Sequence, residues 1–314
     1  MTSSNSTQAA TTTHSDPLIQ SPRYALKEST LTLQYLMYLL RWPRPVGSDE
    51  LPRFHRWIAA FAPKARQVQA TPEGHLIIQT QHTHQRVFMA ELTTQHSLAS
   101  IETQNEERPK PQTLKLEALT GQVSAMNGEV LGADSSVGIW LLLNQLYFGV
   151  PGTYVFWKAL PATRDLDWLP LNTHQLVLCG GEGDHQLINQ INGRATASHE
   201  FTQGVLKQLH QENQLRFTAA PEKPTDPKSI QSDQVSRLLD QAAYSVPEVI
   251  RLSTGRVQQD DGRVTQDLHF ASVLAHRLVR VPWLKLPTER DPQERVHHWL
   301  EETRLELDDD PRPF

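Results

Sequence analysis

The chain has 314 residues, 38% of them hydrophobic, enough to bury one large α/β core or two small ones and too many for wholesale disorder. Its formal charge of −5, with no clustered Lys/Arg stripe, excludes nucleic acid as a default partner. The single Cys179 excludes an intrachain disulfide framework and fits a reducing compartment, and no apolar run reaches the roughly 18–20 residues that span a bilayer, so no membrane partner is expected.

Residues 1–20 are rich in Ser, Thr and Gln. They lack the basic start and apolar stretch of a secretory signal, and read as a disordered segment of a cytoplasmic protein. Leu31, Leu33, Tyr35, Leu36, Leu39 and Leu40 predict a first helix, stopped by Pro43 and Pro45. Ser48 has the chemistry of an N-cap, with Asp49 and Glu50 in the first turn of a helix bearing Leu51, Phe54, Trp57, Ile58 and Phe61. Residues 68–70, a Thr-Pro-Glu-Gly turn and residues 75–79 predict a hairpin. Residues 87–92, 154–159 and 176–179 are short apolar runs of the kind found in buried central strands. Leu114, Leu116 and Leu119, followed by Gly121 and Gly128, predict an edge hairpin over the sheet. Helices are predicted over residues 136–148, 199–212, 232–243, 264–279 and 291–304. The Pro-rich residues 220–227 read as a loop, with a lid as one role for it. Strands interleaved with such helices imply a three-layer α/β/α sandwich around a mixed, mostly parallel central sheet. One domain over residues 21–304 is expected, with residues 305–314 as an acidic flexible tail.

The most informative stretch is Gly132-Ala-Asp-Ser-Ser-Val-Gly138, where an apolar run ends on Asp134 and a helix opens. It resembles the Gly-Ala-Asp-Asp-x-x-Gly turn of zinc-dependent amino- and carboxypeptidases of the phosphorylase/hydrolase-like α/β fold, in their single-domain form. The resemblance, which extends more weakly over about residues 30–285, implies that Asp134 holds the position of a carboxylate bridging two metal ions. Its acidic neighbour in the family is Ser135 here. A plain helix cap is the other role open to Asp134.

Carried along the chain, the resemblance implies a frame whose chemistry has been exchanged. Glu91 stands where the family has a zinc-binding His, and Thr93 where an Asp orients a ligand. The family's Glu-Glu pair, general base and zinc ligand, aligns with Leu160 and Pro161, neither of which accepts a proton or binds a metal. A metal-binding Asp is replaced by Gly180, with Glu182 and Asp184 close by. The last His ligand is missing from residues 256–261, where Asp260 is the nearest candidate. Catalytic zinc needs about three protein ligands, and losing the base alone removes roughly 10²–10⁴ of rate.

The remaining groups read as structural. His82 and His84 share one strand face and either chelate or cap a solvated hairpin. Cys179 has no basic neighbour and reads as a core thiol, not a nucleophile. His297 and His298 lie in a charged helix, and His199-Glu200 reads as a helix start. Gly180 to Gly183 lacks the Lys and Ser/Thr of a phosphate loop.

The expectation is therefore a catalytically inactive, metallopeptidase-like protein, a pseudoenzyme with a binding or assembly role. No cofactor is expected, and the partner is an unidentified protein or peptide, with a homo-oligomer as one form. The alternative is a metal-dependent hydrolase with a rebuilt site from Glu91, Asp134 and Asp260 and Glu182 as base, a carboxylate set suited to magnesium or manganese before zinc. A third reading places the interaction in the N-terminal segment and the acidic tail.

Overall fold

The computed structural model describes residues 33–45, 48, 51–62, 65–80, 85–94, 111–126, 131–158, 169, 172–180, 186–191, 194–210, 218–221, 238, 241–258, 264–281 and 283. The expectations for residues 1–20, the helix over 291–304 and the tail lie outside them.

Helices α1 (Leu33–Arg41) and α2 (Leu51–Ala59) form as their apolar spacing predicts. Ser48 does not cap α2. It lies ahead of Leu51, its own N–H donates to Pro45 O, and its buried hydroxyl makes no hydrogen bond. The predicted hairpin is β1 (Gln67–Ala70) against β2 (Leu76–Gln79), in antiparallel register with Ala70 opposite Leu76.

The core strands are β3 (Arg86–Glu91), β6 (Thr153–Trp157), β7 (Gln175–Cys179) and β11 (Glu248–Leu252). Alternation along β3 sends Val87 and Met89 to one face and Phe88 and Ala90 to the other, and all four are fully buried. A strand covered on both faces must be central, and β3 lies between β6 and β7. The order β6-β3-β7-β11 is parallel throughout, so the carboxyl ends of these four strands share one edge. Antiparallel neighbours flank this centre: β2 beside β6, and β8 (Gln186–Ile191) beside β11. Beyond β8 come the short β9 (Arg194–Ala195) and the parallel β10 (Thr218–Pro221). Ala220 and Pro221 thus belong to a strand at the end of the sheet, where a proline is tolerated, and not to the predicted loop.

Helix α3 (Ala133–Tyr147) follows the Gly132 turn and is buried from Ser136 to Leu146, as a helix apolar on all sides must be. It touches β3 and β7 through Gly138, where an added Cβ would stand 2.3 Å from Cys179 O and 3.2 Å from Ala90 Cβ. With α1, α4 (His199–Leu209) and α5 (Leu268–Leu278), it shares the core formed by Phe88, Ala90, Val177 and Ile250. On the opposite face, Leu238, Ala242 and Val246 pack on Val87, Met89, Leu176 and Leu178, and residues 241–245 are helical. These are the three layers of the expected sandwich. Among the described residues no helix is long and apolar enough to cross a membrane.

Two further expectations change. The hairpin β4 (Leu114–Leu116) with β5 (Gln122–Ala125) forms, but it belongs to a separate antiparallel sheet ordered β12 (Arg256–Gln258), β13 (Val264–Asp267), β5, β4. Residues 264–267 are accordingly strand, not the start of a helix. Thr265 pairs with Ser124, and the Asp267 carboxylate accepts from Phe270 N at 2.8 Å, capping α5 only from there onward.

Candidate functional site

The common edge of β6, β3, β7 and β11 is where an open α/β sheet places its ligands, and of the described site positions Glu91 ends β3 and Gly180 follows β7 at that edge. Register puts Glu91 opposite Trp157 and Cys179 opposite Leu252. The chain past β3 continues the pairing, with Leu92 N–H donating to Trp157 O at 2.6 Å.

Glu91 is buried, and its Oε1 accepts from the Thr93 hydroxyl at 2.7 Å. The Thr93 hydroxyl, two residues on, therefore satisfies one oxygen of this buried carboxylate. Gly180 follows β7 directly. Its N–H donates to Leu252 O and its carbonyl accepts from Arg251 Nε at 2.9 Å, so the backbone here is tied to β11. Asp134 is the second residue of α3, whose N-cap is Gly132 in the left-handed region at φ 58°, a conformation glycine adopts freely. The cap is thus Gly132 and not Asp134. Leu160, Pro161, Glu182, Asp184 and Asp260 lie outside the described residues, as do His82, His84, His297 and His298. The structure brings Glu91, Gly180 and the first turn of α3 to one edge.

The group that joins these elements is one the sequence reading missed. Arg44, between Pro43 and Pro45, is fully buried at this edge. Its Nε donates to Leu92 O at 2.9 Å, and Nη1 donates to Leu39 O and Trp42 O at 2.8 and 2.9 Å. Nη2 donates to Ser135 Oγ at 3.2 Å and to Ser136 Oγ at 2.9 Å. All five guanidinium N–H groups are therefore used. The Ser135 hydroxyl in turn donates to Gly132 O, and the Ser136 hydroxyl to Leu39 O. The Phe54 ring lies 5.1 Å from the guanidinium carbon. Burial pushes Arg44 down to about 9, against the opposing pull of Glu91 and then Tyr38, and it stays cationic at neutral pH. A charged residue between two prolines, just after an apolar helix, was the available signal. Nothing in the sequence named its partners.

Beside this cluster, Lys158 N–H donates to His75 Nδ1 at 3.0 Å just past the end of β6. Burial holds His75 down to about 4, with Lys158 and His55 adding to the shift and Glu73 opposing it. Cys179 is a buried free thiol pushed up to about 12 by burial alone, as expected of a core residue and not of a nucleophile.

Among the described residues no three His, Cys, Asp or Glu side chains come together to hold a metal. The one carboxylate shown at the end of β3 is bonded to Thr93, and its electrostatic partner is a buried cation.

No protein-family model matches the chain, and no curated protein matches its sequence. Solved structures do match. Aminopeptidase PepT from Bacillus cereus superposes with a TM-score of 0.55 at 8% identity, over 79% of this chain and 96% of that one. A putative peptidase/endoglucanase gives 0.51 at 11% identity, over 78% and 97%. The dodecameric PhTET1-12s gives 0.50 at 11% identity, over 81% and 100%. What the chain shares with these proteins is the peptidase-type α/β fold implied by its Gly132–Gly138 turn.

Proposed function

We propose that this chain is a metallopeptidase-like protein without peptidase chemistry, a pseudoenzyme that works in a reducing, cytoplasmic setting by binding or assembly. The observation that supports it is the junction of β3 and α3. There a buried guanidinium donates to two serine hydroxyls, and the carboxylate that ends β3 accepts from a threonine hydroxyl. Such a set balances its own charge and offers no activated water.

The test is the metal content of the purified, unchelated protein by mass spectrometry, with peptide hydrolysis assayed in parallel, on wild type and on Asp134→Ala. Metal far below one equivalent and no hydrolysis are expected from both. Stoichiometric metal and metal-dependent hydrolysis, both lost in Asp134→Ala, would overturn the reading and restore the rebuilt carboxylate site with Asp260 and Glu182. Assembly is first sought with a second copy of the chain, because the similar PhTET1-12s is described as a dodecamer. Light scattering is expected to give a multiple of 35.6 kDa. A monomer at all concentrations directs the search to a foreign peptide or protein.

A further inference from the structure

A guanidinium is costly to bury, and Arg44 is buried in an unfavourable place. Its Nη2 meets Ser135 and Ser136 in the first turn of α3, the positive end of the helix dipole, where cations are disfavoured. Its backbone is held as firmly as its head. Arg44 N–H donates to Thr94 Oγ1 at 2.8 Å, Thr94 N–H donates back to Arg44 O at 2.8 Å, and proline fixes the dihedral on either side. The five acceptors around the head are carbonyls and hydroxyls, which satisfy its protons but do not cancel its charge. Glu91, at the end of the strand whose next carbonyl, Leu92 O, Arg44 grips, is among the described residues the carboxylate that favours the charged form.

We propose that Arg44 is the resident cation of this frame. It ties α1, the end of β3 and the start of α3 into one unit, Glu91 is its counter-ion, and together they leave no place at Glu91 for a divalent metal. The proposal deepens the non-catalytic reading of the same edge. It differs from that reading in making Glu91 a structural anion, a residue that positions Arg44 through its charge.

Glu91→Gln isolates that charge, since glutamine keeps the shape and still accepts from Thr93. Thermal unfolding is compared for wild type, Glu91→Gln, Arg44→Met and the double variant, each with and without zinc. Removing one partner of a buried pair strands the other, so Glu91→Gln is expected to lower the midpoint by roughly 10 °C. The double variant is expected to lose clearly less than the sum of the two single losses, and zinc to leave wild type unmoved. A midpoint for Glu91→Gln equal to wild type, additive losses, or a zinc-dependent rise that Glu91→Gln abolishes each overturns the proposal. If Arg44→Met does not fold, Glu91→Gln decides alone, because it changes neither volume nor the arginine. Peptide hydrolysis by the wild type, in contrast, would defeat the functional reading and leave the Arg44–Glu91 coupling untouched.

Discussion

His75 shows how one side chain sets a pH limit on the molecule. Its ring is fully buried, and Nδ1 accepts the Lys158 N–H, a bond that only an imidazole without a proton on Nδ1 can make. Burial is the main reason its affinity for a proton drops from the usual value of 6.5 to about 4. The unfolded chain takes up that proton first. The contribution of His75 is thus whole above pH 6.5, falls as pH drops, and is fully lost near pH 4. Two and a half units of difference correspond to on the order of 3 kcal/mol. Urea unfolding at neutral pH and near pH 4.5 is expected to show this loss in wild type and a flatter dependence in His75→Asn. Equal slopes in the two proteins would show that other groups govern acid unfolding. Arg44 is the opposite case at the same scale, a buried side chain kept charged because its donors and its counter-ion are all supplied.

Among the elements, α3 brings Ser135 and Ser136 to Arg44 and is seated closely on the sheet. Gly138 lets its axis approach β3 and β7 until the backbone carbonyl of Cys179 fills the space a methyl group would need. Gly138→Ala is expected to cost about 3 kcal/mol in urea unfolding, since neither main chain can yield cheaply. A loss under about 0.5 kcal/mol would mean that α3 slides freely on the sheet. The caps give a smaller, local effect. Asp267→Ala removes the acceptor for Phe270 N–H and is expected to cost about 1 kcal/mol, with faster amide exchange in the first turn of α5 as the direct readout. Unchanged exchange there would reassign the capping. Elements were legible from sequence where one local rule sufficed: the 3.6-residue spacing of α1 and α2, the turn between β1 and β2, and the apolar runs of β3, β6 and β7. They were misread where partners decide. Val264 to Asp267 fit a helix by pattern and became a strand because β5 pairs with them.

For the molecule as a whole, the sequence alone determined the layered α/β class, the turn at Gly132–Gly138 and the residues that end β3 and follow β7, Glu91 and Gly180. Those depend on residue type and short-range spacing, which are read directly from the chain. Only the tertiary structure decided the strand order, the separate sheet of β4, β5, β12 and β13, and the Arg44 clamp. Arg44 reaches Leu92, Ser135 and Ser136 across 48, 91 and 92 residues of sequence. Contacts that distant leave no periodic trace. They exist because hydrophobic burial brings α1, β3 and α3 together, and a polar group closed in by that burial needs its partners there.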